Sequence, residues 1–168
     1  MIKTTLNIAV NNDVWNNLFP DVAALSEQLF ALTIATVDPE ILRDKKEVIV
    51  NLALSDDDEI RELNYQFRNN DKPTNVLSFA NIDDDEFWQA LEHTQEVELG
   101  DIIISASTMA VQSKEQEISL HDHYCHIFVH GLLHLLGYDH MEAEEAAEME
   151  ALEVRILQSI HIANPYED

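Results

Sequence analysis

Apolar residues alternate with polar ones in "TLNIAV", where Leu6, Ile8 and Val10 share one side, and again in "EVIVNLAL", where Val48, Val50, Leu52 and Leu54 do. A period of two is that of a half-buried strand, so both segments are predicted as strands. Between them "PDVAALSEQLFALTIATV" opens on Pro20 and Asp21 and then runs apolar at helical spacing, which predicts a helix starting at the proline. After the second strand, Ser55 offers an N-cap oxygen, and Asp56, Asp57 and Asp58 crowd the first turn, where the helix dipole favours negative charge. The helix that follows is expected to turn Ile60, Leu63 and Phe67 inward. "NVLSFA" (75–80) and "LGDIIIS" (99–105) are rich in β-branched or aromatic residues and predict two more strands. The acidic stretch 81–98 reads as a solvated loop with one helical turn around Phe87 to Leu91. From 105 onward helical spacing dominates, over about 107–118, about 120–137 and the run "EAEEAAEMEALEVRILQSI".

Together these make about four strands and about five helices, alternating early and helical late, which defines an α/β (α+β) layered fold. A chain of 168 residues suits one core, and no repeat, linker or low-complexity stretch divides it, so residues 1–168 are expected to form a single domain. With 46% hydrophobic residues and only 3 Gly and 4 Pro, the composition is that of a globular protein rather than a disordered one.

The formal charge of -24, from 33 acidic and 9 basic residues, repels polyanions over most of the surface. Any anion-binding face must be local, and six of the nine basic residues (Arg43, Lys45, Lys46, Arg61, Arg68 and Lys72) fall between 43 and 72. The lone Cys125 permits no internal disulfide; it fits a reducing compartment and reads as a small core side chain. Asn11, Asn12 and Asp13 break the N-terminal apolar run, and no apolar stretch reaches about 18 residues. Neither a signal peptide nor a membrane span is expected, and the protein is placed in the cytoplasm.

The stretch "HGLLHLLGYDH", from His130 to His140, brings in chemistry. Residues four apart lie on one helix face about 5.4 Å apart, so His130 and His134 direct two imidazoles at one point. Gly137 stands where a helix can end with positive φ and turn the chain back, bringing His140 toward the first two. Three neutral imidazoles suit zinc, or nickel or another transition metal, with a fourth position open to water, the arrangement of a catalytic site. Unconnected and buried among Leu132, Leu133, Leu135 and Leu136, the same rings would leave polar atoms unmet at about 1–3 kcal/mol each. His126 extends the series backward but stands eight residues from His134, about 12 Å along the axis, so a supporting or core role suits it better. His121 and His123, among polar neighbours, read as surface residues.

This segment resembles the signature of the YbeY family, bacterial metal-dependent endoribonucleases of rRNA maturation. "LNYQFRNNDKPTNVLSF" (63–79) resembles the segment with the family's characteristic arginine, here Arg68. "LGDIIIS" resembles the strand that follows, and "EAAEMEALEVRIL" (145–157) the C-terminal helix, so the likeness spans about residues 2–160. The resemblance implies a zincin-like layered domain, with a mostly parallel sheet and one antiparallel strand. It further implies His130, His134 and His140 as ligands of one divalent ion, and Arg68 as a catalytic residue on the substrate side. The implied substrate is single-stranded RNA, namely ribosomal RNA precursor at the 3′ end of the small-subunit RNA, with a part in ribosome quality control and the ribosome or a subunit as partner. The segment 81–98 is longer and more acidic than the resemblance leads one to expect.

Two other functions compete. Zinc metallopeptidase-like hydrolases carry His-Glu-x-x-His with the Glu as general base, and Gly131 stands at that position; Asp139 and Glu142 are the nearest replacements. A non-enzymatic ribosome-associated factor with a structural metal needs a fourth protein ligand. Cys125 lies about 140° round the helix from His130, which leaves Asp139 as the other candidate. Asp101 is read as orienting a ligand histidine or as capping a loop, Asn75 and Ser78 as reaching substrate or satisfying a strand edge, and Lys72 as a solvated turn lysine beside Arg68.

Overall fold

In the computed structural model, which describes residues 1–167, four strands form one mixed sheet in the order β1-β2-β4-β3. β1 (Lys3–Val10) and β2 (Glu47–Ser55) are parallel, with Lys3 opposite Glu47 and Val10 opposite Leu54. β2 is parallel to β4 (Glu96–Ser105), and β3 (Val76–Ala80) closes the far edge antiparallel to β4. The alternation in β2 has its expected effect: Val48, Val50, Leu52 and Leu54 are each at most 1% exposed. They join one core with the apolar sides of α2 (Val22–Val37), α6 (Leu120–Leu135) and α7 (Ala143–Ser159). On the opposite face α3 (Asp57–Arg68) lies over β3 and β4, and Ile60, Leu77 and Ile103 make a smaller cluster there.

The described residues contain seven α-helices rather than about five, because one short helix escaped the periodicity and the single turn expected around Phe87 to Leu91 is a full short helix. In α1 (Val14–Leu18), Trp15 is 1% exposed and its indole N–H donates to the Ser55 carbonyl at 2.7 Å, so one buried aromatic holds five residues in place. The second is α4 (Asp85–Leu91), whose start is capped by the Asp84 side chain accepting from the Glu86 N–H. β4 begins at Glu96, so the stretch 81–98 holds a 3-10 turn, a helix and a strand end rather than a loop. Its end is pinned by the Lys45 ammonium, which donates to the carbonyls of Leu91 and Thr94.

Two details of α3 differ from expectation. Ser55 is the last residue of β2, and Asp56 is the cap: its carboxylate accepts from the Asp57 N–H and from the N–H and hydroxyl of Ser107, tying α3 to α5 (Ala106–Glu115). Three donors converge on this carboxylate, more than the two lone pairs of a serine hydroxyl accept. Phe67 is 58% exposed, because the last turn of α3 overhangs the sheet and the ring only meets Phe79 edge-on, 5.3 Å between centroids. No helix among the described residues is long and apolar enough to cross a membrane.

Candidate metal centre

α6 starts with the Ser119 side chain accepting from the Asp122 N–H and packs against α2, α5, α7, β3 and β4. Its length through the core is what fixes the histidines: the helix cannot roll without unpacking Phe128, Leu132 and Leu135, all at most 1% exposed. His130 and His134 project from one side, their ring centroids 4.6 Å apart and their Nε2 atoms 3.0 Å apart. The helix then closes on Gly137 at φ +98°, with Gly137 N–H on the His134 carbonyl and Tyr138 N–H on the Leu133 carbonyl, both at 3.0 Å. This Schellman closure reverses the chain and brings the His140 ring to 5.5 Å from that of His130 and 5.1 Å from that of His134. One ligand atom from each of the three lies within 4.8 Å of the others.

The hydrogen bonds set the tautomers. His134 Nδ1 donates to the Tyr138 carbonyl at 3.0 Å, and His130 Nδ1 donates to Glu153 Oε1 at 2.8 Å. Both Nε2 atoms are thereby left as bare lone pairs, facing one another at 3.0 Å. Two lone pairs so placed repel unless a cation sits among them, and neutral nitrogen donors of this kind are what zinc and similar metals take. Burial, and after it the rings of His130 and His140, hold His134 below the usual histidine range, which keeps it in the neutral form a metal requires. The three residues fit a divalent cation.

Glu153 was not singled out by sequence reading. It is 0% exposed on α7, with Oε1 accepting from His130 and, at 3.1 Å, from His126, and Oε2 accepting from the Tyr166 hydroxyl at 2.7 Å. Burial alone would raise its carboxyl, but the hydrogen bonds from His126, His130 and Tyr166 outweigh burial and hold it down at about 2. A signal was present: Glu153 falls on the apolar stripe Met149, Ile156, Leu157 of an otherwise acidic helix. His126 thus leans on Glu153 and stays outside the three-histidine group, as its spacing required.

The remaining candidates separate clearly. Arg68, in the last turn of α3, donates to the Ser78 carbonyl at 2.9 Å and lies 5.5 Å over the Phe79 ring, at the wall of the cleft that holds the histidines. Lys72 lines the same cleft; Lys45, spent on two carbonyls elsewhere, does not. Asp101 neither orients a histidine nor caps a loop: its carboxylate accepts from Asn51 at 2.9 Å on the exposed sheet face, away from α6. His123 is not a surface residue but 3% exposed, since Gln112 of α5 covers it, its ring Nε2 3.0 Å from the amide oxygen. Asn75 bonds Gln112 at 2.9 Å, and the Ser78 hydroxyl reaches the Gly131 carbonyl at 3.4 Å. Cys125 is buried at 0% exposure, and Asp139 accepts from the His140 N–H at 2.7 Å as a turn residue. The cleft itself measures about 930 Å³, and its lining runs from His140 past Arg68 to Gln112 and His123.

A mixed four-stranded sheet backed by helices, with a three-histidine cluster lining a cleft, defines a layered α/β protein with a candidate metal site. The profile of the family described as Endoribonuclease YbeY matches residues 16–161, and the chain belongs to that family. It is 42% identical over 167 residues to the Endoribonuclease YbeY of Paramagnetospirillum magneticum, covering 98% of each chain. It is 44% identical over 156 residues to that of Rhodospirillum rubrum, covering 92% of this chain and 77% of the relative. The relative from Francisella tularensis subsp. novicida is 44% identical over 133 residues, 76% of this chain and 78% of its own. The solution structure of TM1509 from Thermotoga maritima is similar over the whole of both chains, with a TM-score of 0.43 and 22% identity.

Proposed function

We propose that residues 1–168 act as one cytoplasmic domain that cleaves single-stranded RNA, with ribosomal RNA precursor, at the 3′ end of the small-subunit RNA, as substrate and the ribosome or a subunit as partner. In this reading His130, His134 and His140 hold one zinc ion, or nickel or another transition metal in its place. The observation that carries it is the pair of bare Nε2 atoms facing each other at 3.0 Å in a cleft that Arg68 also lines. The cleft's charge supports an anionic substrate: among the described residues only Asp83 and Asp139 bring acidic side chains to its lining, against Arg68 and Lys72. In a protein of net charge -24 this lining is thus balanced in charge, far less acidic than the surface as a whole.

Held by His130, His134 and His140, a cation would supply Lewis-acid polarisation of a phosphoryl oxygen and would make a water at the site more acidic. Arg68 keeps its planar fork aimed by spending one N–H on the Ser78 carbonyl, and its other donors remain for a phosphate oxygen that gains charge during cleavage. Tyr138 and Glu153 hold the two helix histidines in the tautomer with Nε2 bare.

The peptidase alternative lacks the carboxylate that its motif sets beside the first ligand, and the room for one there. A Cβ on Gly131 would stand 3.2 Å from Ser78 Oγ and 3.3 Å from Ile102 Cδ1, so the position faces packed sheet rather than the cleft. The structural-metal alternative lacks a fourth protein ligand: among the described residues the group holds three histidines, and Cys125 is buried elsewhere. The deciding experiment is metal analysis of protein purified without chelator, joined to cleavage of single-stranded RNA before and after metal removal. Cleavage that needs the metal supports the reading, and metal-loaded protein that cuts no RNA sinks it. The end left on the product, plain or 2′,3′-cyclic phosphate, tells attack by water from attack by the RNA's own 2′-hydroxyl.

A further inference from the structure

The end of the cleft away from the three histidines is built from neutral polar side chains that the metal chemistry does not use. Gln112, on α5, accepts on its carboxamide oxygen from Asn75 Nδ2 at 2.9 Å and from His123 Nε2 at 3.0 Å. Its own NH2 group remains as an available donor. His123 is 3% exposed, and with Nε2–H spent on Gln112 its Nδ1 is a bare acceptor with no partner among the described residues. Burial, with His126 adding to it, lowers His123 to about 4, so the ring is neutral near pH 7 and cannot serve as a phosphate-binding cation. Nδ1 lies just beneath the cleft wall, out of reach of solvent, and the acceptor open to the cleft is Asn75 Oδ1, whose amide nitrogen is spent on Gln112 beside it.

A fixed donor beside a fixed acceptor, with no charge, matches the edge of a nucleobase, which presents the same pair in complement. A phosphate oxygen offers only acceptors and is served by Arg68 and Lys72 further along the same cleft. Ile127, one turn from His123 toward His130, adds an apolar patch to the lining. Seven residues of one helix face separate His123 from His130, a rise of about 10.5 Å, which sets this end about one or two nucleotides from a phosphate at the histidines. We infer that Asn75, Gln112 and His123 form a nucleobase-recognition subsite, which selects the base standing that far from the cleaved bond. This rests on the RNA-cleavage reading above.

The test is cleavage of a randomised single-stranded RNA pool by the metal-loaded full chain, with every product end sequenced. Wild type is expected to favour one base about fivefold or more at one position within about two nucleotides of the cut. Gln112→Ala, whose side chain is only half-buried, should bring that preference within about twofold while metal content holds. Gln112→Glu, which puts an acceptor where the NH2 donor stood, should move the preference to a different base. Wild-type protein that cuts all sequences alike, or a preference that survives both substitutions, overturns the subsite and leaves the nuclease reading standing. Loss of fold in both variants makes the amide a structural strut and also overturns the subsite. Absence of cleavage by metal-loaded wild type removes both readings together.

Discussion

His130 and Glu153 meet across the α6–α7 interface, the imidazole Nδ1 donating to a carboxylate oxygen 2.8 Å away on a residue with no exposed surface. A buried carboxylate is costly, and no arginine or lysine offsets this one; its partners are two imidazoles and a phenol. A cation held on the far nitrogen of His130 would supply the missing positive charge through the ring. Glu153→Ala should therefore weaken metal binding about 10–100-fold, with Glu153→Gln between it and wild type, since the amide oxygen still accepts but carries no charge. Competition against a chelator measures this, and unchanged affinity in a folded Glu153→Ala protein would show that the contact is only packing.

Each of His130→Ala, His134→Ala and His140→Ala should strip the metal, because a site with three anchors loses one of three. His126→Ala should retain it, since Glu153 keeps its bond to His130. Elemental analysis after dialysis reads the outcome; full occupancy in all three variants would contradict the site.

The strands and the three histidines were legible because each is written in local spacing: period two in β2, four residues between His130 and His134, and a glycine where the helix must close. What was illegible depends on which face of an element meets another. Phe67 has the spacing of a core residue, yet its turn of α3 overhangs the sheet. His123 has polar neighbours in sequence, yet α5 covers it. Glu153 sits among surface glutamates, and only its place on the Met149–Ile156 stripe marks it as buried. α1 is too short to show a period and exists because Trp15 finds the Ser55 carbonyl.

His123 also gives a pH dependence. Folding lowers its pKa from 6.5 to about 4, so between those values the unfolded chain binds a proton that the folded chain does not. Stability contributed by this group is full above about pH 6.5 and is lost as pH falls toward 4, by about 3 kcal/mol at the limit. Denaturant melts of wild type and His123→Gln at pH 7, 5.5 and 4.5 should show the shallower decline in the variant. Parallel declines would remove His123 as the source.

Gly131 offers a test of why this helix departs from the peptidase pattern. With Ser78 Oγ at 3.2 Å and Ile102 Cδ1 at 3.3 Å from a would-be Cβ, Gly131→Ala requires the Ser78 and Ile102 side chains to give by a few tenths of an ångström. Overpacking of this kind costs about 1–3 kcal/mol, more than the helix propensity of alanine returns. Gly131→Glu should lower the melting temperature further and confer no peptide hydrolysis. A stable Gly131→Glu protein that cuts peptides would revive the peptidase reading.

Arg68 separates chemistry from scaffolding. Its contacts to the fold are one bond to the Ser78 carbonyl and the Phe79 ring, both at the surface, so Arg68→Ala should cost no more than about 1 kcal/mol of stability and leave the metal bound. If the guanidinium clamps the reacting phosphate, its loss removes a contact that strengthens as charge develops, worth about a hundredfold or more in rate. Arg68→Lys should restore little, because an ammonium that reaches Ser78 has no second arm left in the plane of the phosphate. Lys72, a point charge lining the same cleft, should act on binding instead: Lys72→Gln should lower the slope of log affinity against log salt by about 0.7, the share of one phosphate on a single strand. Lys45→Gln should leave that slope unchanged, since its ammonium is held by carbonyls outside the cleft. Near-normal cleavage by folded, metal-loaded Arg68→Ala would take Arg68 out of the reaction and leave phosphate binding to Lys72 and the metal alone.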